Sequence, residues 1–170
     1  MRVVKLKRRA RFYLYARHWD PKKHSKRLHY IAPERQFHDR AAEMIARQCY
    51  DGKSNLTTWV NVPSHKMAVR RGTGQLVYVD ILLVNGNNRL QRVAEVETVI
   101  DDESVQRLIV ASSLAPLLDI YVLYGYGEKM RRILGDQHIS YARIFEYYIT
   151  PLSSLIVRPV GEPVGREQMA

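Results

Sequence analysis

Three carboxylates set in two apolar runs are the part of this chain best suited to chemistry. Asp80 interrupts VYVDILLV, and fifteen residues later Glu95, followed by Glu97, interrupts VAEVET. Val, Ile, Leu and Tyr dominate both runs, so both read as strands, and Asn85-Gly86-Asn87-Asn88 between them is hairpin-turn chemistry. Pairing the runs brings the three acids into one neighbourhood, and alternation places Glu95 and Glu97 on one strand face with Val93. An ionised carboxylate buried without a partner is costly or gives up its charge. Acids in two adjoining core strands therefore point to a divalent cation. The structural alternative is salt bridging to the Arg-rich N-terminal arm, or exposure on an edge strand.

The elements that would position these acids lie on both sides of them. RFYLYAR at 11–17 alternates like a strand, and a Lys-rich polar loop follows through His29. Pro33 suits the first turn of a helix that runs to about Tyr50 and stops at Asp51-Gly52. Its stripe is Glu34, Phe37, Ala41, Ile45 and Gln48, with Glu43 on the opposite polar face beside Asp39, Arg40 and Arg47. A short strand falls in 56–62 or 66–70. The Gly72-Thr73-Gly74 triplet then reads as a hairpin turn rather than a phosphate loop, because no helix follows it. Past Glu97, Asp101-Asp102-Glu103-Ser104 opens a crossover helix with a stripe of Val105, Leu108, Ile109, Ser112 and Ala115 that stops near Pro116. A strand at 119–127, a helix over 127–136 and a strand at 142–149 complete the core. The expected organisation is one domain over 1–170: a basic arm with a strand at 1–32, a core at 33–150, and a loosely ordered tail at 151–170 holding Pro159, Gly161, Pro163 and Gly165.

Length fits a single core, since 170 residues bury about 70% of their unfolded surface. The net charge of +10 sits entirely at one end: residues 1–40 hold 13 Lys and Arg against 3 acids, and the remainder balances at 14 and 14. A basic arm on a neutral body is the footprint of a polyanion binder. Lys5, Lys7, Arg8, Arg9, Arg11, Arg17, Lys22, Lys23, Lys26 and Arg27, with Arg70 and Arg71 on the later turn, are the candidate phosphate contacts. Phe12, Tyr13, Tyr15, Trp19 and Tyr30 interleave with them as stacking surfaces, unless they simply pack on the core. The histidines and Cys49, the single cysteine, match no zinc spacing, and Cys49 reads as a packed thiol. With no possible intrachain disulfide, no signal-peptide stretch and no membrane span, a soluble cytoplasmic protein is expected.

The order of a helix with Glu34, a hairpin with Asp80, a strand with Glu95 and Glu97, a crossover helix and a strand resembles the core of the PD-(D/E)xK nuclease superfamily over 33–149. The resemblance implies a restriction-endonuclease-like α/β fold, a mixed central β-sheet flanked by helices. Asp80 matches the motif Asp, Glu95 the triplet acid, and Glu34 the early helix acid of resolvase-like members. Val79 stands where the family has Pro, and Glu97 where it has Lys, giving an ExE triplet. Lys129 and Gln106 are possible displaced bases, though each reads first as a surface residue. The implied activity is Mg²⁺-dependent hydrolysis of duplex or branched DNA by a homodimer. Asp80, Glu95 and Glu97 would hold metal, Glu34 would support them, and Glu97 would accept a proton from the attacking water or hold a second ion. The alternative is a catalytically inactive DNA-binding module, or a subunit of a larger mobile-element or defence complex.

Overall fold

The computed structural model describes residues 2–8, 11–20, 25–53, 55–63, 65–150 and 152–161, with side chains from Pro33 onward. Its N-terminal part is a three-stranded antiparallel sheet of β1 (Arg2–Arg8), β2 (Arg11–Asp20) and β3 (Ser25–Pro33), in that order. The expected single strand and Lys-rich loop are thus corrected: Ser25 to Pro33 pairs with β2 across a bulge at Leu14/Tyr15. Lysine content misleads here because an antiparallel sheet with a solvated face accepts charge on alternate residues.

The first helix, α1 (Glu34–Ile45), begins directly after Pro33 and widens into a π-helical turn over Ala46–Tyr50. Gly52, at φ +68°, takes the left-handed conformation that ends this run. There follow β4 (Thr57–Val60), a small hairpin of β5 (Val69–Arg70) and β6 (Leu76–Val77), and β7 (Ile81–Val84). Next come β8 (Leu90–Glu97), α2 (Asp102–Ser112), β9 (Leu117–Leu123), α3 (Gly127–Asp136), β10 (Ala142–Ile149) and β11 (Leu155–Pro159). The central sheet has the order β11-β10-β9-β8-β7-β4, parallel across β8, β9 and β10 and antiparallel elsewhere. This is an α/β fold, a mixed sheet flanked by helices. Among the described residues no helix is long and apolar enough to cross a membrane.

Strand β9 is buried on both faces, as a parallel central strand requires. Leu118, Ile120 and Val122 pack with Leu108 and Ala111 of α2 and Met130 and Leu134 of α3. On the other face Tyr121 and Leu123 meet Ala41, Ala42 and Ile45 of α1. Each fully buried aliphatic side chain of this kind contributes about 1.5–3 kcal/mol. A reciprocal capping box between Asp101 and Ser104 fixes the start of α2, and hence where β8 must end.

Two further expectations change. The strand expected around Asp80 is broken: Leu76–Val77 belongs to the small hairpin, and the sheet ladder starts only at Ile81, so Asp80 occupies the bend at its entry. The tail is not loose from Pro151 on, because Leu155–Pro159 forms the edge strand of the sheet. Leu155 is buried and Val160 N–H donates to Ile144 O at 2.9 Å. Pro159 is tolerated as the last residue of an edge strand, where a missing donor costs little. Residues 162–170 of the expected tail lie outside the described residues.

Candidate active site

The register of the β7–β8 hairpin decides the geometry. Ile81 pairs with Ala94, so Asp80 comes one step further along, beside Glu95, and the two carboxyls are close enough to hydrogen-bond. Asp80 is pinned through its backbone by Asn61: Asn61 N–H donates to Asp80 O at 2.8 Å, and its side-chain amide donates to Val79 O at 2.6 Å. Asp80 Oδ2 accepts from Val96 N–H at 2.8 Å and lies 3.2 Å from His38 Nε2 on α1. His38 Nδ1 is 3.3 Å from Asp39. Glu97, two residues beyond Glu95, accepts both Arg107 Nη2 contacts, at 2.8 and 3.1 Å, from α2.

These contacts set the protonation of the site. Burial alone would lower the His38 pKa, but Asp80 and Asp39 outweigh it and raise it to about 9, so the ring is an imidazolium at neutral pH. Burial pushes Asp80 up, yet His38, Val96 N–H and Glu95 hold it below the ordinary carboxylate value. Glu95, 3% exposed, is raised well above it by burial and by the charges of Asp80 and Glu97. Glu97 is raised by burial, pulled back by Arg107 and pushed by Asp80, to about 7. Three neighbouring carboxyls cannot all ionise in a buried site. The protein offsets one with His38 and one with Arg107, and Glu95 keeps its proton.

Asp80, Glu95 and Glu97 are therefore the oxygen donors available to a hard cation. In this arrangement they turn to separate partners, and among the described residues no three His, Cys, Asp or Glu side chains converge in cation-holding geometry. Glu34, in the first turn of α1, reaches the same end of β8 indirectly, accepting from Thr98 Oγ1 at 3.1 Å. Arg70 and Arg71 lie on the hairpin that leads into Asp80, with Gly74 N–H closing its turn onto Arg71 O at 2.8 Å, as the turn reading of that glycine-rich stretch requires. Lys5, Lys7, Arg8, Arg11, Arg17, Lys26 and Arg27 fall on β1 to β3, where the backbone alone is described, and Arg9, Lys22 and Lys23 lie outside the described residues.

Neither displaced-base candidate joins the acids. Lys129 Nζ donates to Ile100 O at 3.1 Å, and Gln106 is exposed. The guanidinium of the site is Arg107, the residue after Gln106, which sequence reasoning passed over. His38 was passed over as well, since the histidines were weighed for zinc spacing; its position four after Glu34 puts it on the same helix face, a signal available in the sequence. Asn61 carried no such signal, because its role is to bond backbone atoms of another segment. Cys49 is half-buried and its thiol is raised by burial, as for a packed cysteine.

Neither a protein-family model nor a curated protein matches this chain. Among solved structures, the crystal structure of YaeQ protein from Xanthomonas axonopodis pv. citri is similar at a TM-score of 0.39 and 10% identity, over 79% of this chain and 72% of that one.

Proposed function

We propose that this protein is a Mg²⁺- or Mn²⁺-dependent DNA endonuclease, a PD-(D/E)xK nuclease of the ExE form, hydrolysing phosphodiester bonds at the Asp80–Glu95–Glu97 cluster. The observation that carries the reading is the meeting of part-buried Asp80 with buried Glu95 and Glu97 at the end of β8 where, among the described residues, His38 and Arg107 alone pair with them as cations. A bound divalent cation would relieve that excess and would supply polarisation of a phosphoryl oxygen and a more acidic water. Asp80 and Glu95 would hold it, with Glu97 reaching it or a second ion. His38 and Val96 N–H orient Asp80. Glu97, with a pKa near 7, is matched to accept a proton at neutral pH. Arg107, paired with Glu97, would supply the positive charge that a lysine supplies in that superfamily. Glu34 steadies the end of β8 through Thr98. The basic N-terminal sheet, with Arg70 and Arg71, would hold backbone phosphates of duplex or branched DNA. Cutting both strands calls for two sites, hence a homodimer, in the cytoplasm where DNA is reached.

A second reading, a DNA-binding module without hydrolysis, is favoured by one feature: Arg107 already occupies Glu97 through two contacts. Cleavage separates the two. Supercoiled, linear and branched DNA with Mg²⁺ or Mn²⁺ should be cut by wild type and not by Asp80→Ala or Glu95→Ala. Equal cutting by all three, or none by wild type, rejects the enzyme. Binding should weaken steeply with salt and on removal of residues 1–28; indifference to both rejects the basic arm as the DNA contact.

A further inference from the structure

The hairpin of β5 and β6 lies just ahead of Asp80, and its two faces differ. Val69 pairs with Val77, and both pack against the core with Met67, whereas Arg70 pairs with Leu76 on the opposite face. The alternation carries on past the hairpin: Tyr78 is exposed and Val79 is buried, so Leu76 and Tyr78 share the outer face with Arg70. Leu76 is 51% exposed and Tyr78 55%, and Lys66 Nζ lies 5.9 Å from the centre of the Tyr78 ring. Apolar residues scattered singly over a surface are ordinary. Here a phenol ring and a leucine are set on one face among cations.

Charge on this stretch has one sign. Residues 52–79 hold Lys53, Lys66, Arg70 and Arg71 and no Asp or Glu. Among the described residues no carboxylate pairs with Lys66, Arg70 or Arg71. The face is also held in place, because the Asn61 side-chain amide donates to Met67 O at 2.7 Å and to Val79 O at 2.6 Å, clasping the two legs of the hairpin. A fixed aromatic ring beside cations that lack carboxylate partners is the surface a single nucleic-acid strand needs: its phosphates meet the cations and a base stacks on the ring. A base inside a duplex is not available for this, because its neighbours in the stack cover both its faces.

We infer that the outer face of the β5–β6 hairpin binds unpaired nucleotides of a DNA strand, with a base on the Tyr78 ring and the flanking phosphates on Lys66 and Arg70. Tyr78 is two residues, about 7 Å of chain, from Asp80, so the strand held here is the one presented to the acid cluster. The face selects DNA with a single-stranded or branched segment over uniform duplex. The inference rests on the DNA-binding reading and needs neither a cation nor hydrolysis, so it is tested in EDTA.

Fluorescence anisotropy measures the affinity of wild type, Tyr78→Leu and the double variant Lys66→Gln/Arg70→Gln for a single strand, for the same strand with abasic positions, and for the duplex. All three proteins should melt within a few degrees of one another, since the substituted side chains are exposed. Tyr78→Leu should bind the single strand about five- to a hundredfold more weakly, and the duplex as wild type does. The abasic strand needs no variant, and wild type should bind it as weakly as Tyr78→Leu binds the intact strand. Lys66→Gln/Arg70→Gln should flatten the log–log salt dependence of single-strand binding by about 1.4, or about 0.7 for each phosphate. Wild-type single-strand affinity in Tyr78→Leu, equal losses for strand and duplex, or an abasic strand bound as tightly as the intact one overturns the hairpin role and leaves the basic arm as the DNA contact. Binding of neither DNA by wild type overturns the DNA reading and the hairpin role with it.

Discussion

Asp119 near the start of β9 is as deeply buried as Glu95 near the end of β8, and the surroundings of the two are reversed. Asp119 accepts a two-pronged contact from Arg143 at 2.7 and 2.8 Å, lies 3.4 Å from Arg92, and takes the Tyr50 hydroxyl at 2.6 Å. One acid there has two guanidinium groups and a hydroxyl. At the other site three acids share, among the described residues, one imidazolium and one guanidinium. Both are buried polar clusters in the same sheet. Where basic groups within the chain more than cover the acid, the cluster belongs to the scaffold. Where acid is in excess, the remainder is what the proposed function leaves to a bound cation.

The sharpest way to break this contrast is to neutralise one acid at each site. Asp119→Asn leaves Arg143, Arg92 and Tyr50 facing a weaker acceptor; Arg143 is 40% exposed and partly rehydrated, so the expected loss is about 2 kcal/mol, below the range for a fully buried pair. Glu95→Gln should act oppositely on stability. The folded protein already holds Glu95 protonated against a strong penalty for ionisation, so an amide of the same shape removes that penalty and raises the melting temperature at neutral pH. On the proposed mechanism the same change lowers cleavage by roughly a thousandfold or more. Thermal melts and a plasmid-nicking assay on both variants decide it. A stabilising Asp119→Asn, or a Glu95→Gln that destabilises and still cuts, would remove the distinction between scaffold and site.

Why one half of the contrast was legible in the sequence and the other was not follows from the same physics. Alternation and turn chemistry revealed the β7–β8 hairpin, and pairing in register then had to bring Asp80 to Glu95. The crossover helix announced itself through Asp101 and Ser104. Partners were hidden: His38 and Arg107 lie 42 and 10 residues from the acids they meet, and only the packing of α1 and α2 on the sheet decides which basic group arrives. Arg107 beats Lys129 because α2 runs directly out of β8, whereas Lys129 on α3 is held at Ile100 O. Asp119, likewise, looked like the first residue of a strand with no visible partner, since Arg143 joins it only through the parallel pairing of β9 with β10. The strand β11 was missed because proline and glycine content was weighed above the apolar pattern of Leu155, Ile156 and Val157.

pH sharpens the picture within the acid cluster. His38 is an ordinary imidazole unfolded, near 6.5, and about 9 folded. Its pairing with Asp80 therefore contributes stability that is fully present below pH 6.5 and is lost as pH rises through 9, about 3 kcal/mol in all. The depressed Asp80 pKa is the other side of the same pairing and adds nothing more. His38→Gln should flatten the stability profile between pH 6.5 and 9 and lower stability at pH 6, read from urea midpoints across that range. A profile that keeps its wild-type slope in the variant would show that His38 is not the counter-ion of Asp80.

The smallest effect is expected at Arg107, and its direction with pH is the informative part. Glu97 is half protonated near pH 7, so below that value the guanidinium faces a largely neutral carboxyl and Arg107→Gln should change stability little. Above it, Glu97 ionises in a site where it is 3% exposed, and the variant should lose about 1 kcal/mol at pH 8.5, limited because Arg107 is itself 45% exposed to water. A loss that does not change with pH across this range would follow if Arg107 chiefly served the Glu103 contact on its own helix, at 3.7 Å. Arg107→Lys tests geometry at constant charge: it keeps the cation and gives up the two-contact fork, so it should recover most of the stability at pH 8.5. Recovery of DNA cleavage by that variant would place the positive charge itself in the chemistry, whereas recovery of stability alone would confine Arg107 to holding Glu97.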